Sequence, residues 1–144
     1  MKLLVIFSLL PAASSLPLES NYTSPAGVEI YNPSTLFTPT GPWSLMSKAG
    51  NTIYIAGKEL RVQDNQAFGI DRIRQAYANM IQLAELAGTD RFSAVRLVVY
   101  TTDMYRYRPL CNQAQTEFWG DDPNRHPPRS IIEVQRLNDD DIVE

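Results

Sequence analysis

The chain has 144 residues, one domain's worth. It is 44% hydrophobic and 20% charged, the balance of a folded globular domain, which excludes a disordered tail or a collagen-like repeat. One cysteine, Cys111, excludes an internal disulfide framework. One histidine, His126, argues against a zinc site or a serine–histidine triad, and a net charge of −3 argues against a grip on nucleic acid.

Residues 1–20 have the order of a secretory signal peptide. A basic start at Met1-Lys2 leads into the apolar run Leu3 to Leu10, then Pro11 and the small residues Ala12 to Ser15. The run is far shorter than the roughly 20 residues of a membrane span. The expected location is therefore the secretory pathway or outside the cell. A buried N-terminal strand is the competing reading of the same residues, with a cytoplasmic or mitochondrial location as the alternative. Asn21-Tyr22-Thr23 fits the N-glycosylation pattern just after the expected cleavage zone. Residues 21–40 are rich in Pro, Ser, Thr and Asn and read as an extended lead-in with little regular structure.

From residue 41 the pattern becomes that of a folded domain, 41–144. Thr52 to Ala56 alternates like a strand, Gly50-Asn51 is a turn, and Leu45 to Lys48 is the expected hairpin partner. Ile70 to Ala87 places apolar residues at helical spacing and stops at Gly88. Phe92 to Thr102 is apolar on nearly both faces, the mark of a central strand. Pro109 can open a second helix running to Trp119, with Gly120 as its stop. Asp121 to Pro128 reads as a loop, Ser130 to Leu137 as a strand, and Ile142 to Glu144 as the start of another. The predicted order is β-β-α-β-α-β-β, an α+β domain with two helices on one face of a mixed sheet.

Among candidate functional residues Arg129 stands first. It follows Pro127-Pro128 and opens a strand, and a rigidly held guanidinium suits bidentate capture of a carboxylate. A plain surface arginine is the competing reading. Trp43 is either core packing or one wall of a ligand pocket. Asp139 to Asp141 reads as a solvated turn without the glycine of a calcium loop. Arg106 and Arg108 interleave with Tyr105 and Tyr107, a weak match to base stacking. Cys111 reads as a small buried apolar residue and His126 as a loop residue. There is no glycine-rich phosphate loop, GxSxG or HExxH.

Four blocks together resemble the RidA family (YjgF-type enamine/imine deaminases) over residues 41–144. They are GPWSLMSKAGNTIYIAG from Gly41, RQAYANMIQLAELAG from Arg74, RLVVYTTDM from Arg96, and PPRSIIEVQRL from Pro127. The resemblance implies a chorismate-mutase-like fold with two helices on one sheet face, and a homotrimer with ligand sites in the clefts between subunits. It also implies hydrolysis of 2-aminoacrylate-type enamines or imines to 2-oxo acids and ammonia, with no metal or cofactor. It gives Arg129 the substrate carboxylate and Glu144 the water, with Ala56 and Gly57 as backbone contacts at the end of a strand. Trp43 stands where the family has tyrosine.

The chain departs from the family at Trp43, at Lys58 in place of glutamine, and at Ile131 where some members carry cysteine. The family's last strand also continues beyond the position of Glu144. These departures favour one alternative, a trimeric small-ligand-binding protein with altered chemistry; a specialised imine-processing step in a biosynthetic pathway is a further alternative. The ribonuclease activity ascribed to some members is disfavoured by the acidic composition.

Overall fold

The computed structural model describes residues 4–8, 19–36, 38–57, 69–138 and 140–144. Lys58, Asp139 and the remainder of residues 1–18 lie outside the described residues. The chain forms a seven-stranded sheet with two helices against it. The strands are β1 (Leu4–Ser8), β2 (Tyr22–Thr23), β3 (Glu29–Tyr31), β4 (Met46–Ala49), β5 (Thr52–Ala56), β6 (Ala94–Thr101) and β7 (Arg129–Glu133). The helices are α1 (Ile70–Leu86) and α2 (Met104–Trp119). The spatial order is β2-β3-β4-β5-β1-β6-β7. β6 and β7 run parallel, and every other neighbouring pair is antiparallel.

The expected hairpin is present: Met46 lies opposite Ile55 and Ala49 opposite Thr52, around Gly50 at φ +58°. The lead-in is more regular than its composition implied. Gly27 turns at φ +77°, Ser24 Oγ accepts the Val28 N–H at 3.0 Å, and β3 then pairs with β4.

Helix α1 follows the predicted stripe, burying Ile73, Tyr77, Met80 and Ala84. Helix α2 begins five residues before Pro109. Asp103 caps it by accepting the Arg106 N–H at 2.9 Å, and Glu133 Oε2 accepts the Met104 N–H at 2.7 Å. Pro109 lacks the N–H that would bond the Tyr105 carbonyl. Tyr105 is 95% exposed, so water can serve that carbonyl. Two strands are shorter than predicted. Asp90 accepts the Phe92 and Ser93 N–H groups and winds residues 91–93 into a turn before β6. β7 ends at Glu133.

The core lies between the sheet and the helices. Ile53, Ile55, Leu97 and Val99 face Ile73, Cys111 and Trp119, all buried. Tyr77 and Trp119 meet edge to face at 5.8 Å and join the two helices. Arg74 forks onto Glu117, with both nitrogen–oxygen distances 2.7 Å.

The leader was read as lying outside the fold, with a buried strand as the competing reading. Leu4–Ser8 here pairs with β5 on one side and β6 on the other. Even-numbered residues of β6 turn their backbone groups toward this edge: Ile6 faces Arg96, and Glu144 exchanges two hydrogen bonds with Tyr100, at 2.7 and 2.9 Å. The odd-numbered Leu97 and Thr101 turn toward β7. Residues 142–144 and β1 therefore occupy one lane beside β6, end to end and in the same direction. The expected last strand appears only as this short stretch, bridged through Val143 to Thr101.

Two predictions follow from the packing. Arg74 and Gln113 hold the Glu117 carboxyl down at about 2. A depressed carboxylate adds stability above its unfolded value and loses it as pH falls through its folded one. Glu117→Gln should thus lower Tm at pH 7, and the gap should close as pH approaches about 2 in paired melts. Strands sit about 4.8 Å apart, so a chain starting at residue 21 would leave a gap of about 10 Å between β5 and β6. Its Tm should fall well below that of the full chain; equal values would mean β1 bears no weight in the sheet.

Candidate functional site

Arg129 is set by the segment before it. Asp122 Oδ1 accepts the Asn124 N–H at 2.9 Å and winds residues 123–125 into one turn. Pro127 is buried, and the Pro128 carbonyl accepts the Leu97 N–H at 2.9 Å. Arg129 then opens β7 opposite Leu97 and, like it, turns toward the helices. Its Nη1 donates to Gln115 Oε1 at 2.8 Å and its Nη2 to Asn112 Oδ1 at 2.5 Å. Both acceptors are neutral amides of α2. Among the described residues no carboxylate pairs with Arg129.

An open cavity of about 300 Å³ lies beside this guanidinium, lined by Asn112, Gln115, Thr116, His126 and Arg129. Its walls are polar. A half-buried cation with only neutral protein ligands at the edge of such a space suits a small anion, and a planar guanidinium suits a carboxylate.

A second, apolar crevice lies between α1 and β6, and Tyr77, Leu97, Val143 and Glu144 are among its walls. Glu144 is buried, and its backbone is held by Tyr100. Tyr77 joins the two spaces, since its hydroxyl lies 3.4 Å from Gln115 Oε1. Burial pushes the Tyr77 hydroxyl up to about 12, with the positive charge of Arg129 opposing the shift. Burial likewise pushes the Cys111 thiol up to about 11.

The remaining sequence candidates line neither space. Trp43 is half-buried and packs against the core. A side chain at Gly41 would meet its ring at 3.3 Å, so the glycine makes room for the indole. The Ala56 N–H donates to the Leu45 carbonyl at 2.9 Å, and Gly57 beside it is buried. Asn21 is exposed, with Oδ1 accepting the Asn32 N–H at 2.6 Å. Within one chain, Arg129 and Glu144 thus line different cavities, away from Trp43.

Sequence reasoning missed Asn112, Gln115 and His126 as neighbours of Arg129. The available signal was the polar Asn112, Gln115 and Thr116, spaced so that one turn of α2 presents them together.

The sequence pattern of the family described as Endoribonuclease L-PSP matches residues 34–144. The chain belongs to this family, the same RidA (YjgF-type) family that its motifs resemble. A RutC family protein of Pyrococcus horikoshii is 31% identical over 114 residues, covering 74% of this chain and 84% of the relative. A 2-iminobutanoate/2-iminopropanoate deaminase of Dermatophagoides farinae is 27% identical, covering 69% of this chain and 77% of its own. Among solved structures, a probable translation initiation inhibitor from Rhodopseudomonas palustris superposes with a TM-score of 0.72 at 35% identity. That match covers 81% of this chain and 92% of the other. The fold is thus the α+β fold of this family. No helix among the described residues is long and apolar enough to cross a membrane.

Cys111 is fully buried beside the site, and the thiolate is the reactive form. A disulfide exchange reagent should label it at least about tenfold more slowly in the folded protein than in denaturant. Equal rates would mean that α2 opens readily.

Proposed function

We propose that the cavity beside Arg129 binds the carboxylate of a small 2-imino acid or its enamine tautomer, and that the protein hydrolyses it to a 2-oxo acid and ammonia. The observation that carries this reading is the guanidinium itself, held by two amide oxygens with no carboxylate partner among the described residues. The deaminase from Dermatophagoides farinae supports the same chemistry at low identity.

The reaction needs little from the protein. The carboxylate pairs with Arg129, which fixes the direction of the C=N carbon. A water oxygen bonds to that carbon, the π electrons move to nitrogen, and the proton the water gives up reaches that nitrogen through a base. The C–N bond of the adduct then breaks with its electron pair on nitrogen, which takes up the hydroxyl proton and leaves as ammonia while the oxygen becomes the 2-oxo carbonyl. Glu144 is the residue assigned to the water as general base. The proposed assembly is a homotrimer with its sites in the clefts between subunits, where groups kept apart in one chain come from neighbouring copies. Trp43 is assigned an aromatic wall of that cleft, and Ala56 and Gly57 its backbone contacts. No metal or cofactor enters the proposed reaction. Secretion with a glycan on Asn21 is a separate proposal that requires the sheet to hold without β1, and the Tm comparison of the full chain with one starting at residue 21 decides it.

The separation of Arg129 and Glu144 within one chain favours a second reading, a ligand-binding protein without turnover.

The test couples the purified protein to a threonine or serine dehydratase and follows release of the 2-oxo acid. Charged hydrogen bonds contribute about 1.5–3 kcal/mol, so Arg129→Ala should lose about 10- to 100-fold in kcat/KM. Unchanged activity in that variant would overturn the assignment. Ligand binding without acceleration would select the second reading.

A further inference from the structure

Gln115 is buried, and its amide joins Arg129 to a ring that the reaction itself does not use. His126 Nε2 lies 2.7 Å from the Gly120 carbonyl, and Nδ1 lies 3.2 Å from Gln115 Nε2. A carbonyl oxygen can only accept, so Nε2 must carry the proton. In a neutral imidazole the other nitrogen is then an acceptor. Nδ1 accordingly accepts from the Gln115 amide nitrogen. That fixes the amide with Oε1 turned away from the ring, toward Arg129 Nη1 at 2.8 Å and the Tyr77 hydroxyl at 3.4 Å.

Each role forces the next, starting from one carbonyl. Gly120 caps α2 at φ +85°, a conformation open to glycine and strained for other residues. The turn brings the end of the helix back to the His126 ring.

We propose that His126, acting through Gln115, is a positioning residue for Arg129, holding the amide in the orientation that leaves the guanidinium anchored and uncompensated beside the cavity. This rests on the reading that Arg129 takes a carboxylate. With the ring removed, the Gln115 amide is free to turn over. Its NH2 would then face the guanidinium, donor against donor, and Arg129 would lose one of its two anchors. A negative charge at position 115 would act in another way: it would pair with Arg129 and fill the place of the ligand.

The experiment measures binding of 2-oxobutanoate, a stable small carboxylate, by titration calorimetry on the full-length protein and four variants, with a thermal melt of each. His126→Ala should weaken binding about five- to tenfold. His126→Asn should restore most of it, because its Oδ1 stands close to the place of Nδ1. Gln115→Glu should weaken binding more than tenfold while Tm does not fall, an opposition that a merely structural role would not produce. Nitrogen NMR of the wild-type ring should show Nε2 protonated and Nδ1 as acceptor.

Arg129→Ala keeps the two levels apart. If it binds like wild type, the carboxylate reading itself fails. If it loses binding while His126→Ala and Gln115→Glu bind like wild type, only the positioning role fails. A ring protonated at Nδ1 alone would also overturn the positioning role.

Discussion

The backbone ladder of β6 holds nearly everything that shapes the cavity, directly or through one neighbour. Its odd-numbered residues bond toward β7, and the Leu97–Pro128 bond fixes where Arg129 enters the sheet. Its even-numbered residues bond toward β1 and Glu144. Its alternate side chains, Leu97 and Val99, support the helices that carry Tyr77 and Gln115. A strand used on both edges and buried against helices cannot slip by one residue, because a slip would turn every side chain to the wrong face. That rigidity sets the start of β7, and with it Arg129, against α2.

The environment of Arg129 follows a clear electrostatic logic. An adjacent carboxylate would hold the guanidinium more tightly and also cancel its charge. Two amide oxygens fix its direction and leave the charge in place. Neutral ligands therefore orient without competing with an incoming anion. The cost is a half-desolvated cation, which an open, polar cavity keeps small because water can still reach it.

Much of this was legible in the chain. Helix α1 could be read because seven apolar positions, from Ile70 to Ala87, fall on one stripe. The prolines before Arg129 mark the entry to a strand, and Arg129 does open β7. The start of α2 differs from the expected one because Pro109 is the stronger local signal for a helix start, although the cap at Asp103 is also local; only the Met104 N–H bond to Glu133 comes from far along the chain. The polar spacing could place Gln115 on one turn of α2 with Asn112 and Thr116, but not its contact with His126. That contact depends on the turn at Gly120 bringing a loop histidine back against the helix, and no spacing rule describes that. The apolar run at the N-terminus fits both a leader and a strand, since a short apolar segment has no period of its own.

The lane beside β6 has a kinetic meaning. Among the described residues its two segments come from opposite ends of the strand order and are far apart in sequence. Pairing β1 with β6 closes a loop of close to ninety residues, whereas the β4–β5 hairpin closes one of two. Loop-closure entropy grows with that separation, and long-range strand pairing is the slow part of folding. During synthesis β1 must wait for β6, and residues 142–144 beside it in the lane follow later still. The middle of the finished sheet is thus among the last places to zip shut.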